Sequence, residues 1–149
     1  MSIKNLQILK NDLKNLKKMT ESLLSAYDLG KKINPDKNFT DNDYLIFDSL
    51  TSRFSRLSDI IVQKIIRTID IINIEDTGTM RDRLNRAEKN GLISSVDEFV
   101  EIRKLRNDIT HEYIPEEMKN IYKQVMKNVE VLFDTVIRIN HYCKEKYNL

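Results

Sequence analysis

The last third of the chain carries the strongest constraint on the fold, because its apolar residues repeat as they do along one face of a long helix. These residues alternate steps of four and three, at Met118, Tyr122, Val125, Val129, Leu132, Val136, Ile139 and Cys143. Such spacing gathers the side chains on one stripe, which must be buried against other helices. Pro115 stands at the favoured first position of a helix. We therefore predict a bundle helix over about residues 115–147, with Cys143 as a packed thiol.

The same periodicity recurs upstream and predicts the remaining helices. Thr40 and Ser95 each precede an acidic residue by three positions, which is a typical helix start, and Gly30 ends the first stripe. A short helix is expected between Thr79 and Gly91. The body of the fold is then predicted as helices over about residues 3–29, 40–73, 95–112 and 115–147. Together they make an all-α, up-and-down bundle of four or five helices, in one domain over residues 1–149.

The composition agrees with a soluble helical protein. Charged residues make up 32% and hydrophobic residues 40% of the 149 positions, with three Gly and two Pro. A single cysteine, Cys143, rules out an internal disulfide or a cysteine-based zinc site, and the first twenty residues contain no unbroken apolar run. We expect a cytoplasmic protein without a membrane segment. The net charge of only +2 means that any RNA site must be local, and we expect no DNA partner.

The octet Arg106-Asn107-Asp108-Ile109-Thr110-His111-Glu112-Tyr113 concentrates residues suited to phosphate chemistry near the predicted end of a helix. Arg106 offers a permanently charged fork, His111 supplies an imidazole that can accept or donate a proton, and Tyr113 adds a hydroxyl and a stacking face. Asn107 lies one helical turn before His111, where it can hydrogen-bond the imidazole or the RNA backbone, and Asp108 lies three residues before it, where its negative charge can act on the imidazole. No Gly-rich phosphate loop or metal-binding spacing points to a different enzyme, and no metal or other cofactor is expected.

The spacing R-x4-H-x-Y of Arg106, His111 and Tyr113 resembles the signature of the HEPN superfamily, in particular its HepT-like branch. The resemblance implies a HEPN-like helical domain that acts as a metal-independent endoribonuclease toxin. It also implies a partner, an MNT-type nucleotidyltransferase antitoxin, which in some relatives silences the toxin by attaching AMP to the motif tyrosine. By this resemblance, Tyr113 is the candidate acceptor in this chain.

Metal-free RNA cleavage needs a base for the 2′-hydroxyl, an acid for the leaving 5′-oxygen and a positive group on the phosphate. We assign His111 as the acid or the base and Arg106 as the phosphate clamp. One chain supplies a single motif histidine, and Phe99 and Val100 fall on the polar arc of the motif helix. An apolar pair on that arc predicts a homodimer in which two motifs share one cleft.

Other interpretations stay open. Arg106 and Asp108 can be surface charges, His111 a helix-end residue and Tyr113 a core aromatic. A non-catalytic HEPN-type protein can bind substrate for, or scaffold, a nucleotidyltransferase. A helical interaction protein can match the motif by coincidence. Clustered Lys and Arg residues in the first helix and in the short helix are interpreted as solvated or ion-paired surfaces rather than as RNA contacts. His141, without a matching Arg and Tyr, is interpreted as an ordinary residue.

Overall fold

The computed structural model describes residues 2–111 and 114–149, and every regular element in that part of the chain is a helix. The elements are α1 (Ile3–Gly30), α2 (Asp41–Asp59), a π-helical segment (Ile60–Ile66), α3 (Arg67–Ile72), α4 (Met80–Lys89), α5 (Val96–Asp108) and α6 (Pro115–Tyr147). α2, the π-helical segment and α3 follow one another without a break, and we call them the central rod. The predicted all-α class is confirmed.

α1 and the central rod run in opposite directions. Arg53 of α2 donates a hydrogen bond from Nη1 to the carbonyl of Ser22 at 2.8 Å, which ties the middle of both helices together. Further toward the end of α1, Gly30 lies against Leu50, nearer to the start of α2. Because later residues of α1 meet earlier residues of α2, the two helices are antiparallel.

α6 runs alongside the rod in the same direction. Near its start, the hydroxyl of Tyr122 donates to the carbonyl of Gly30 at 2.6 Å. Toward its end, the side-chain amide of Asn73, just after the rod, donates to the hydroxyl of Tyr142 at 3.0 Å. α5 packs against α2, α4 and α6 and is joined to α6 by residues 109–114 alone, a length typical of antiparallel neighbours. The up-and-down topology follows, with α4 as a short addition on α5.

The core forms around the central rod. α1 supplies a buried leucine at every seventh position, at Leu9, Leu16 and Leu23. The π-helical segment is buried on most of its circumference, through Ile60, Ile61, Val62, Ile65 and Ile66. A helix that is apolar nearly all round must lie in the interior. Cys143 is buried as predicted, and burial raises the pKa of its thiol to about 12.

The helix starts follow the capping signals in the sequence. Thr40 and Thr79 each form a complete capping box, in which the threonine hydroxyl accepts from the third backbone N–H and the aspartate there accepts from the threonine N–H. At Ser95 only half of the pattern is present. Its hydroxyl accepts from the Glu98 N–H at 3.3 Å, whereas the Glu98 carboxylate accepts from Ser94 instead.

α4 is attached to the rod through a buried carboxylate. Asp70 is 2% exposed and accepts a hydrogen bond from Nη2 of Arg86 at 2.9 Å, and Nε of Arg83 lies 3.9 Å from the same oxygen. Arg81 pairs with Asp97 at 3.7 Å on the outer surface. The arginines of the short helix are therefore ion-paired, as the interpretation of a paired surface predicted.

The predicted extent of the motif helix, residues 95–112, is wrong at its end, because α5 stops at Asp108. After this residue the amides of Thr110 and His111 bond three residues back, to the carbonyls of Asn107 and Asp108, both at 3.2 Å. The Thr110 hydroxyl donates to the Asn107 carbonyl as well, at 2.7 Å, and so competes for an acceptor that a longer helix needs. The helix gives way to a tight turn.

The placement of Phe99 on a solvent-facing arc, from which a covering second subunit was predicted, is also wrong. Phe99 is 0% exposed and lies in the core of its own chain, whereas Val100 is 40% exposed. α5 has neighbours on several sides, so its buried arc is wider than a single stripe and includes this side chain. Of the two residues on which the dimer prediction was based, only Val100 is exposed to solvent.

None of the helices in residues 2–111 and 114–149 combines the length and the apolar character that crossing a bilayer requires.

Replacing Phe99 with alanine tests whether this ring belongs to the core of one chain. We expect Phe99→Ala to lower the free energy of unfolding by about 3–5 kcal/mol, because a fully buried ring leaves a cavity. Chemical denaturation at several protein concentrations measures this loss, and the loss should not change with concentration. Val100→Ala is the control, with an expected loss below about 1 kcal/mol. A loss for Phe99→Ala that shrinks on dilution would assign the ring to an interface instead, because an interface contributes less as the subunits dissociate.

Candidate functional site

Arg106 lies in the last turn of α5, where a carboxylate from the central rod holds its guanidinium. Nε of Arg106 donates to Oδ1 of Asp59 at 3.0 Å, and Nη2 donates to Oδ2 at 2.9 Å. This is the bidentate arrangement that matches a planar guanidinium to a carboxylate. The side chains are 26% and 29% exposed, so the pair stands at the surface rather than in the core. The bond raises the pKa of Arg106 above its ordinary value.

Arg103 adds a second cation to the same carboxylate. It lies one turn before Arg106, and its Nη1 donates to Oδ1 of Asp59 at 3.0 Å. Asp59 thus accepts three charge-assisted hydrogen bonds. Burial raises the pKa of this carboxyl, but the bonds from Arg106 and Arg103 together outweigh burial, so its pKa lies below 3.8. The cluster Arg103–Asp59–Arg106, which we call the Asp59 cluster, carries one net positive charge.

His111 lies beyond the helix, in the turn that follows Asp108, and its side chain is exposed. Its amide donates to the Asp108 carbonyl at 3.2 Å, and its imidazole makes no hydrogen bond to any residue in the ranges 2–111 and 114–149. The backbone between Arg106 and His111 keeps a helical or tight-turn course, so their Cα atoms are roughly 8–10 Å apart along it. The imidazole is therefore near Arg106 along the chain and accessible to a ligand.

The predicted supporting residues make no side-chain hydrogen bond to His111 in the described part of the chain. Asn107 is exposed, and its carbonyl, rather than its side-chain amide, takes part in the turn. Asp108 is half-buried and ends α5, with its carbonyl bonded to the amide of His111. The proposed roles of Tyr113, as a site residue and as an AMP acceptor, fall on a residue outside the described ranges.

The second histidine belongs to the opposite end of the bundle. His141 is exposed on α6 and lines an open groove of about 780 Å³ together with Lys89, Arg138 and Tyr142. Since α6 begins at Pro115, this groove starts about 33 Å along the helix from the motif end. His141 is therefore separate from the Asp59 cluster.

No three His, Cys, Asp or Glu side chains converge into a possible metal site within residues 2–111 and 114–149. The nearest group of charges to the motif is the Asp59 cluster, in which the single carboxylate is already engaged by two arginines. Its chemistry suits an anionic ligand rather than a metal ion.

Asp59 is the site residue that the sequence analysis missed. It is a carboxylate at the end of α2, between the buried residues Leu57 and Ile60. Arg103 and Arg106, at an i, i+3 spacing, place two cations on one face of α5. The available signal for this contact was a carboxylate set among core positions. The matching signal on α5 was a pair of arginines to which no carboxylate partner had been assigned.

A scan of the chain against protein-family models and a search of curated proteins each found no match. The resemblance to the HEPN superfamily rests on the spacing of Arg106, His111 and Tyr113.

The Asp59 cluster should make stability depend on pH in a defined window. The pKa of Asp59 is lower in the folded chain than its ordinary value of 3.8. Its ionised form therefore stabilises the fold fully above that value, and the contribution is lost as the pH falls through the folded-state pKa. We expect Asp59→Asn to cost about 1–3 kcal/mol near pH 7 and the gap to the wild type to close below pH 3.8, as measured by denaturant unfolding.

Asp134→Asn is the matched control, because it removes the carboxylate of an exposed pair with Arg138. Exposed pairs contribute little, so the control should stay within about 0.5 kcal/mol of the wild type. A cost for Asp59→Asn that is the same at pH 7 and at pH 3 would show that the charge of Asp59 does not contribute to stability.

Proposed function

We propose that this protein is a metal-independent endoribonuclease, a toxin of the HEPN/MNT type, whose site is formed by Arg106 and His111. The observation that carries the proposal is the pairing of a fixed cation with an accessible imidazole. Arg106 is held in place by Asp59, and His111 follows within roughly 10 Å along the chain, exposed and without a hydrogen-bond partner among the described residues. A phosphate clamp beside an acid–base group provides two of the three groups that metal-free RNA transesterification requires.

In the proposed reaction, the 2′-oxygen of the RNA attacks the adjacent phosphorus as its proton leaves to a base. The bond from phosphorus to the 5′-oxygen breaks, and an acid protonates that oxygen. The products are a 2′,3′-cyclic phosphate and a 5′-hydroxyl. Arg106 neutralises the charge that grows on the phosphoryl oxygens, and His111 carries one of the two protons. The resident positive charge of the Asp59 cluster attracts the RNA backbone locally, although the whole chain carries only +2.

A homodimer supplies the second proton carrier in this proposal. Two copies of His111 around a two-fold axis give one acid and one base in a shared cleft. Exposed apolar side chains flank the motif on both sides, with Val100 at 40% and Ile114 at 58% exposure. Burying such side chains is a common reason for two copies to associate. Sedimentation of the wild type and of Val100→Asp with Ile114→Asp tests the dimer, which should dissociate in the double variant.

The proposed partner is an MNT-type nucleotidyltransferase that transfers AMP to Tyr113. The basis is the resemblance of the motif. AMP on this residue would bring a phosphate and a bulky nucleoside next to the site that must receive the RNA phosphate, and so would block it. Toxin, antitoxin and RNA would all meet in the cytoplasm.

The alternative is a non-catalytic HEPN-type protein that binds substrate for, or scaffolds, a nucleotidyltransferase. One observation favours it: two of the guanidinium N–H groups of Arg106 are already bound to Asp59. In this alternative, Arg106 joins α5 to the rod and has no role in cleavage.

The deciding experiment incubates the purified protein with a labelled RNA in EDTA and measures cleavage. We expect the wild type to cleave, and His111→Ala and Arg106→Ala each to lose about 10²–10⁴-fold in rate, because each removes a group that acts in the transition state. His141→Ala is the matched control, since it removes the other histidine from a distant exposed position. It should cleave like the wild type.

Induced expression tests the same proposal in cells, by growth and by total RNA on a gel. Arrest with fragmented RNA should require both Arg106 and His111. Intact RNA and normal growth with the wild type, at equal protein level and without AMP on the purified chain, would favour the non-catalytic alternative.

A further inference from the structure

The bond to Asp59 leaves a defined edge of the Arg106 guanidinium available. A guanidinium has five N–H groups in one rigid plane. Asp59 takes the Nε–H and one N–H of Nη2, on one side of that plane. The Nη1 group and the second N–H of Nη2 make no hydrogen bond to residues 2–111 and 114–149. These groups point away from the carboxylate and form a second fork, of the shape that accepts two oxygens of one phosphate.

The carboxylate that holds this fork is itself held in a fixed position. Asp59 is the last residue of α2, and the π-helical segment that starts at Ile60 is buried in the core. The Asp59 carboxylate is fixed from two directions, since Arg103 also donates to its Oδ1. A long arginine side chain normally has many rotamers. The bidentate contact to the fixed Asp59 carboxylate restricts Arg106 to few of them. π-helical turns often occur at functional sites, where they change the direction of a side chain.

The charges are also suited to an anion. One carboxylate between two arginines leaves an excess of one positive charge, so the free edge of Arg106 is not neutralised by its own support. A single Asp–Arg pair would be neutral, and a phosphate would gain less from approaching it. Arg103 therefore gives the cluster its excess positive charge through its contact with Asp59.

We propose that Asp59 is a positioning residue, which orients the free edge of Arg106 toward the scissile phosphate of RNA, with Arg103 restoring the positive charge that Asp59 removes. The proposal rests on the proposed function, and it assigns Asp59 a part in cleavage through Arg106 rather than by contact with RNA.

The first test compares kcat and KM for RNA cleavage by the wild type, Asp59→Glu and Asp59→Asn. Asp59→Glu keeps the charge but moves the carboxylate by one methylene, so it separates position from charge. We expect both variants to lose roughly 10²-fold in kcat, because a displacement of about 1 Å can cost that much. KM should stay within a few-fold of the wild type for Asp59→Glu. It should stay similar or fall for Asp59→Asn, because this variant loses a negative charge next to the two arginines.

Two controls separate positioning from a merely structural role. Asp134→Asn changes the net charge by the same amount at the exposed Asp134–Arg138 pair and should keep the wild-type kcat. Asp70→Asn weakens the other Asp–Arg contact of the rod and should lower stability without changing kcat per folded molecule. Wild-type kcat in Asp59→Glu would overturn the proposal while leaving the ribonuclease function in place. A fall in kcat of Asp59→Asn that matches its fraction unfolded would overturn it too.

A second test does not depend on cleavage. It measures the binding of a 2′-O-methyl oligonucleotide, which cannot be cleaved, to the wild type, Arg106→Ala, Asp59→Glu and the double variant. If Asp59 acts through Arg106, removing Arg106 should weaken binding several-fold in the wild type and much less in Asp59→Glu. An equal effect in both backgrounds would overturn the inference. If the wild type does not cleave RNA, the proposed function fails. The binding comparison of these four proteins then decides by itself whether Asp59 acts through Arg106.

Discussion

The fold depends on burying the apolar faces of the central rod. Its π-helical segment is apolar around most of its circumference, so α1, α5 and α6 must all pack onto the rod before the core is closed. Burial of this kind is the main favourable contribution to folding, and it is not directional. Apolar contacts alone would leave the helices free to slide and rotate on one another. Fixing the helices at defined positions along the rod requires directional contacts, which form in only one arrangement of the helices.

Two carboxylates on the rod provide such contacts, in the same way. Asp59 binds Arg103 and Arg106 of α5, and Asp70 binds Arg86, with Arg83 close by, on α4. Each carboxylate meets two arginines that are three residues apart on one helix, so each short helix is fixed in position and in rotation. The two clusters differ in depth. Asp70 is 2% exposed and is enclosed by protein, whereas the Asp59 side chain is 29% exposed and faces the solvent beside the motif.

Local signals predicted most of the fold. The apolar spacing and the caps at Thr40, Thr79 and Pro115 set helix positions to within a few residues, because these effects act over one or two turns. The π-helical segment, the buried position of Phe99 and the partner of Arg106 were not predicted, since each depends on which helices become neighbours in space. The end of α5 was placed four residues late, because the Thr110 side chain competes for a backbone carbonyl. Of the motif, Arg106 and His111 lie in the described ranges, and Tyr113 does not.

The end of α5 at Asp108 has a consequence for the proposed proton transfers. An in-line displacement at phosphorus has its entering and leaving oxygens on opposite sides, so a proton carrier on a rigid helix would serve only one of them. His111 lies instead in the turn beyond α5, where its amide donates to the Asp108 carbonyl and its side chain is exposed. Asp59 fixes the guanidinium of Arg106 by two hydrogen bonds, whereas the imidazole makes no hydrogen bond to the part of the chain that the structure describes. In the proposed dimer, such an imidazole would be able to turn to either side of the reacting phosphorus, and the two copies would need no difference in sequence to divide the proposed acid and base roles.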